Sequence, residues 1–214
     1  MTSSGTAADP LLQPINQMLM SVGQAPVQDL SDPNPDIDIA KKTLTQCSDE
    51  IQAEGWSFNK EYHVLMSLDD TGRILVPTNM LQVSLGERIA NNINFRAVIR
   101  KDVALDTNDL YLYDMVNHTF IWKEAMYCTV LWKFEWVELP KPIQMYVNAR
   151  ACKLFATRTV GDPAVIGGLQ QQEDFCKTYA LEFDTQQYSH SIFGYEEEGN
   201  FYTSYQPYQA LRRS

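Results

Sequence analysis

IQAEGWSFNKEY, residues 51–62, marks a change of period. Upstream, Ile37, Ala40, Leu44, Cys47 and Ile51 recur at steps of three and four, which is the spacing of one helix face. Downstream, Trp56, Phe58 and Tyr62 stand on even positions, one face of a strand. Gly55 separates the two periods, where a helix stop in the left-handed conformation is expected. A large aromatic directly after such a stop implies that Trp56 pins the following sheet to the helix end.

Toward the amino terminus, Leu11, Ile15, Met18, Leu19 and Val22 make a second apolar stripe that stops at Gly23. Asp9-Pro10 offers an N-cap and a first-turn proline, although Pro14 moves the expected start toward Gln13. DLSDPNPD (29–36) reads as a turn, and the helix after it is expected over 36–54. That helix ends in Asp49, Glu50 and Glu54, which the macrodipole disfavours by a few tenths of a kcal/mol each.

Beyond Trp56 the pattern is strand-like to about residue 139. EYHVLMSL-DDTG-RILVP reads as a hairpin, as does LYLYDMVNHTFIW (110–122), and AMYCTVLWKFEWVELP (125–140) is the clearest strand. Helical spacing returns with Ile143, Val147, Ala151, Leu154 and Phe155, and stops at Gly161. Asp162-Pro163 then opens a helix to Gln187 with the stripe Leu169, Cys176, Ala180 and Phe183. Gly167-Gly168 within it costs roughly 1 kcal/mol per residue, which a close backbone neighbour usually offsets. Strands and helices are segregated along the chain, so the class is α+β. We expect a four-helix bundle, two helices from 1–55 and two from 140–187, with a β-rich insertion over 56–139 and an extended tail over 188–214.

The chain carries 17 basic and 27 acidic residues, a net charge of −10. Residues 1–70 hold 11 acids and 3 bases, hence −8. No basic surface for gripping nucleic acid is visible. Met1 to Asp9 lacks a secretory signal's basic and apolar segments, and no apolar run spans a bilayer. Cys47, Cys128, Cys152 and Cys176 lack metal spacing and read as small buried hydrophobes, with a Cys152–Cys176 disulfide conceivable but not indicated. His63, His118 and His190 are far apart, and no phosphate loop, dinucleotide fingerprint or nucleophile elbow occurs. Glu196-Glu197-Glu198 reads as a solvated acid run. No catalytic, cofactor-binding or metal-ligating residue is assigned.

The tail, 188–214, has seven aromatics and few aliphatics, which suits an interface segment better than a linker. Its candidate docking residues are Tyr195, Phe201, Tyr202, Tyr205, Tyr208, Arg212 and Arg213.

The order of these features resembles tail tubular protein A, the head-to-tail adaptor of short-tailed phages. The likeness rests on LLQPINQMLMSVGQAPVQDL, on the helix ending Gly55-Trp56-x-Phe58-Asn59, and on ELPKPIQMYVNARACKLFATRTVGDP. It is supported by ILVPTNMLQV (74–83) and the 110–122 hairpin, and it covers roughly residues 11–190. The resemblance implies a structural protein of the virion tail, made in the host cytoplasm, without enzyme activity or cofactor. It further implies a twelve-fold homo-oligomeric ring between the portal protein and the tail nozzle protein (tail tubular protein B type), with tail fibres as a further partner. DNA would pass through its channel without tight binding. Gly55, Trp56 and Phe58 would then form an architectural joint between bundle and sheet. Two other readings stay open at this stage: a virion-associated glycan hydrolase, and an unrelated acidic interaction module.

Overall fold

The computed structural model describes residues 9–85, 96–105 and 107–187, and these fall into two units. Residues 9–54 and 134–186 make a helical unit, and 55–133 make a β unit.

In the helical unit, α1 spans Leu12–Ser21, α2 Pro35–Gln52, α3 Lys141–Thr159 and α4 Pro163–Gln187. Pro14 is the third residue of α1, where its missing N–H would have had no intrahelical partner, so it does not delay the helix start. The helix closes on Gly23 at φ +80°. There Gly23 N–H donates to Met20 C=O and Gln24 N–H to Leu19 C=O, both at 3.0 Å, the paired bonds of a left-handed C-terminal stop. Helix α2 is capped by Asn34, whose side chain accepts from Asp36 N–H at 3.0 Å. Asp162 caps α4 in the same way, accepting from Ala164 N–H at 2.9 Å.

Helices α1, α2 and α3 pack pairwise on one another. Their core includes Ile15, Met18, Leu19, Leu44, Ile51, Ile143, Tyr146 and Phe155, each no more than 2% exposed. Helix α4 buries only Glu173, Cys176 and Ala180. The close neighbour expected at Gly167-Gly168 is absent among the described residues: a Cβ built on either glycine meets nothing within 4 Å.

The acids at the end of α2 find partners on α3. Arg150 Nη2 lies 3.1 Å from Glu50 Oε2, and Nη1 lies 3.5 Å from Glu54 Oε1. Two turns further along α3, Arg158 donates to Thr43 Oγ1 at 3.1 Å and to Gln46 Oε1 at 3.0 Å. Lys153 forms an ion pair with the buried Glu173, joining α3 to α4.

The β unit contains two three-stranded antiparallel sheets. One has the order β1 (Lys60–Met66), β6 (Met126–Trp132), β3 (Met80–Leu85). The other has the order β2 (Leu75–Val76), β5 (Leu110–Asp114), β4 (Ala97–Lys101). Strand β6 is central: Met126, Cys128 and Val130 bury one of its faces, while on the other Leu131 is buried and Tyr127 exposed.

Three strand expectations are corrected here. The Asp69–Arg73 turn forms, with Asp69 N–H donating to Arg73 C=O at 2.7 Å and Gly72 at φ +79°. Its flanking strands do not pair with each other, because β1 joins β6 and the two-residue β2 joins β5. The 114–119 turn also forms, but its second arm contributes one bridge, Asp114 to Thr119, and no strand. Finally, the run 125–140 stops being a strand at Trp132; Trp136–Glu138 is a short 3-10 helix that leads into α3.

Both sheets share an apolar core of Ile74, Val76, Val83, Leu112, Trp122, Met126, Cys128 and Val130. Strand β1 carries a bulge between Glu61 and Val64, within which His63 has φ +59°. Such a bulge on an edge strand twists it away from pairing with another sheet.

Candidate functional site

The chain leaves the helical unit after Glu54 and re-enters it at Phe134. A buried side-chain amide holds each side of this double passage. On the helical side, Gln52 is fully buried. Its Oε1 accepts from Phe134 N–H at 2.7 Å and its Nε2 donates to Phe134 C=O at 3.1 Å, so one amide holds the returning backbone at two points.

On the β side, Gly55 adopts φ +82°, the left-handed conformation expected of the helix stop. A Cβ there would lie 3.4 Å from the Leu131 side chain, so conformation rather than space demands glycine. Trp56 is 4% exposed and Phe58 is half-buried. Asn59, fully buried, accepts Trp56 N–H on Oδ1 at 2.9 Å and donates from Nδ2 to Trp132 C=O at 3.0 Å. Its backbone repeats the pairing, with Asn59 N–H donating to Trp56 C=O at 3.2 Å and Trp132 N–H donating to Asn59 C=O at 2.8 Å. The final asparagine of Gly-Trp-x-Phe-Asn thus ties the turn after Gly55 to the end of the central strand.

Gln52 and Asn59 were not singled out as site residues in the sequence. The available signals were a glutamine beside the apolar stripe of α2 and the closing position of the motif itself. Their distant partners, Phe134 and Trp132, are 82 and 73 residues away, which no local pattern reveals. Of the sequence candidates, Gly55, Trp56 and Phe58 lie together in this turn. Tyr195, Phe201, Tyr202, Tyr205, Tyr208, Arg212 and Arg213 lie outside the described residues.

All four cysteines are buried free thiols. Burial pushes the Cys47 and Cys128 thiols up to about 11 and Cys152 up to about 12, opposite to the shift that activates a nucleophilic thiolate. Among the described residues, no group of three His, Cys, Asp or Glu side chains could hold a metal ion. His118 occupies a left-handed position, φ +53°, within the 114–119 turn. In that turn Asp114 accepts Asn117 Nδ2 at 2.6 Å and Val116 N–H at 2.8 Å. Burial opposes its ionisation, but these bonds prevail and hold its carboxyl below the ordinary range. No helix among the described residues is long and apolar enough to cross a membrane.

The described residues thus form paired helices and small sheets in which buried amides and carboxylates hold turns and strand ends. The family model described as Tail tubular protein matches residues 12–190, which takes in both units and the whole double passage. The chain belongs to the tail tubular protein family. Members of this family are structural proteins of phage tails. A comparison with curated proteins finds no match.

Proposed function

We propose that this tail tubular protein is the head-to-tail adaptor of a short-tailed phage, a ring of identical subunits between portal and nozzle through which DNA passes at ejection. The observation that carries the reading is the family match over 12–190. The buried amides of Gln52 and Asn59 are consistent with a structural role, because each ties together, within its own unit, segments far apart in the chain.

In this reading the ring is twelve-fold, and tail fibres attach to the same assembly. Residues 1–55 and 140–187 form a four-helix bundle, 56–139 the β-rich insertion, and 188–214 a segment laid along the portal or a neighbouring subunit. Tyr195, Phe201, Tyr202, Tyr205 and Tyr208 supply apolar contacts for that segment, while Arg212 and Arg213 suit carboxylates. Gly55, Trp56 and Phe58 are the joint between bundle and sheet. DNA passes without tight binding, and no chemistry is required of the subunit.

Electron microscopy of the purified protein, alone and mixed with portal and nozzle proteins, tests the reading. Rings bridging the two partners are expected. A protein that stays monomeric in every mixture at high concentration overturns it. Truncation after Gln187 tests the tail: sealed portal–nozzle assemblies formed by the shortened chain would show that 188–214 is dispensable.

A further inference from the structure

Helix α4 is the longest of the described helices and the least embedded. Of its 25 residues Glu173, Cys176 and Ala180 are buried, whereas the 19-residue α3 buries nine. Val165, Ile166, Leu169 and Phe183 are half-buried, while Phe175, Tyr179 and Leu181 are 69%, 45% and 48% exposed. The buried positions follow one narrow helical stripe, and two of the three side chains on it are small. Little apolar area therefore fastens α4 to the rest of the unit. The third side chain is charged. Glu173 pairs with Lys153 of α3, and Lys153 Nζ also donates to Gln170 Oε1 at 2.9 Å. One lysine thus holds two positions of α4, a turn apart.

The helix has little stability of its own to add. Gly167 and Gly168 weaken it relative to alanine, and because a Cβ on either would meet nothing within 4 Å, no packing compensates. Most helical stability in proteins comes from packing of an apolar face, and here that face is narrow. Helix α3 does not depend on its successor. Val160 N–H and Gly161 N–H both donate to Ala156 C=O at 3.0 Å, so α3 is closed off before α4 begins. Gly161 itself, at φ +69°, stands in open space, with its nearest neighbour 3.9 Å from a built Cβ. Helices α1, α2 and α3 pack pairwise on one another without α4. Few buried apolar contacts and a glycine at the root are the properties of a segment that opens before the whole fold does.

We propose that α4 is a strap that opens from α1–α3 as a separate unit, rooted at Gly161 and clasped by Lys153 on Glu173. The closed form predominates, and the open one is a minor, transient state. Once released, the helix loses the packing that supports it and unravels, while the three other helices stay folded. The face of α3 beneath the strap is available only while the clasp is undone. The inference concerns the single subunit and stands apart from the adaptor reading.

The test is hydrogen–deuterium exchange of dilute full-length protein, followed by mass spectrometry. Amides of α4 are expected to exchange about 100-fold or more faster than those of α2 and α3. Ile51→Val, a small truncation at a fully buried site of α2, should speed exchange in α2 and α3 roughly three- to tenfold and leave α4 unchanged. Glu173→Gln removes the charge that Lys153 holds and should speed exchange in α4 roughly tenfold. Should that variant fail to fold, Gln170→Ala removes the second bond to Lys153 and should speed α4 a few-fold. Exchange of α4 in step with α2 and α3, in the wild type or in Ile51→Val, would show that the helix opens only with the whole unit and overturns the proposal. Exchange of α4 that ignores the loss of the Lys153 partners overturns the clasp.

Discussion

Replacing Asn59 tests whether the Gly-Trp-x-Phe-Asn motif acts through its last residue. In Asn59→Leu, similar in size but apolar, Trp56 N–H loses its acceptor and Trp132 C=O loses one donor, both at a buried site. An orphaned buried polar group costs about 1–3 kcal/mol, so the pair predicts a loss of roughly 2–5 kcal/mol. At about 2–4 °C per kcal/mol for a chain of this size, the melting temperature should fall by roughly 5–15 °C. Asn59→Asp makes the diagnosis sharper. A carboxylate still accepts from Trp56 N–H, yet it sets a second oxygen against Trp132 C=O with no proton between them. Protonation restores that donor, so the folded-state pKa of the introduced acid should rise above its unfolded value. Its favourable contribution is then full below about pH 4 and lost as pH rises through the folded pKa, the reverse of an ordinary paired carboxylate. Thermal melts followed by circular dichroism and tryptophan fluorescence, from pH 4 to pH 8, measure both effects. An Asn59→Leu midpoint within a degree of wild type would refute the argument, as would an Asn59→Asp variant whose deficit does not grow with pH.

Trp56→Ala should cost about 3–5 kcal/mol by chemical denaturation, as truncating a buried aromatic does; an unchanged midpoint would show that Trp56 is not a packing anchor. Arg150→Ala removes two partly exposed ion pairs and should cost about 1 kcal/mol at low salt, with the deficit shrinking in 1 M salt, where charges are screened within about 3 Å. The double variant Gly167→Ala, Gly168→Ala should stabilise the isolated subunit by about 1–2 kcal/mol, and a lower midpoint in a monomeric sample would contradict the open geometry of α4. The thiols should resist labelling at neutral pH until denaturant is added. Because the Cys47, Cys128 and Cys152 thiols are raised above their ordinary 9.0 while unfolded thiols ionise near it, stability should decline as pH rises above about 9.

What the sequence revealed was local. Gly23, Gly55 and Gly161 all carry positive φ, and each stands where an apolar stripe breaks off, so the stops after α1, α2 and α3 could be read from composition and period. Asp162-Pro163 was equally legible, since cap and first helical residue are neighbours. Strand pairing was not. The turn at Asp69 is built from its own residues, with the carboxylate accepting from Thr71 and Arg73 N–H at 2.8 Å, but where the flanking strands go depends on β5 and β6. Strand β6 offers β1 a partner seven residues long, whereas β2 offers two. The acids ending α2 looked unfavourable because Arg150, which neutralises Glu50, is 100 residues away.

That pairing also changes what the acid excess can do. Residues 1–54 and 134–186 contain 15 acids and 7 bases, against 9 and 8 in residues 55–133, so the charge belongs to the helical unit rather than simply to the start of the chain. Within it, Glu50, Glu54 and Glu173 are bound to Arg150 and Lys153 and serve helix packing. The acids Asp29, Asp32, Asp36 and Asp38, on the turn before α2 and its first turn, have Lys41 and Lys42 one turn further along the helix; Lys41 Nζ donates to Leu30 C=O at 2.9 Å. Asp36 accepts from the Gln24 amide at 2.7 Å, a bond that leaves its charge in place. Screening confines such a field to about 8 Å in physiological salt. In the adaptor we propose, these acids would therefore act only on a duplex brushing the wall, where repulsion of phosphate opposes sticking, and would have little effect across an open channel. Passage without retention then requires no acidic lining throughout: it requires that surfaces within contact distance of DNA lack clustered, unpaired cations.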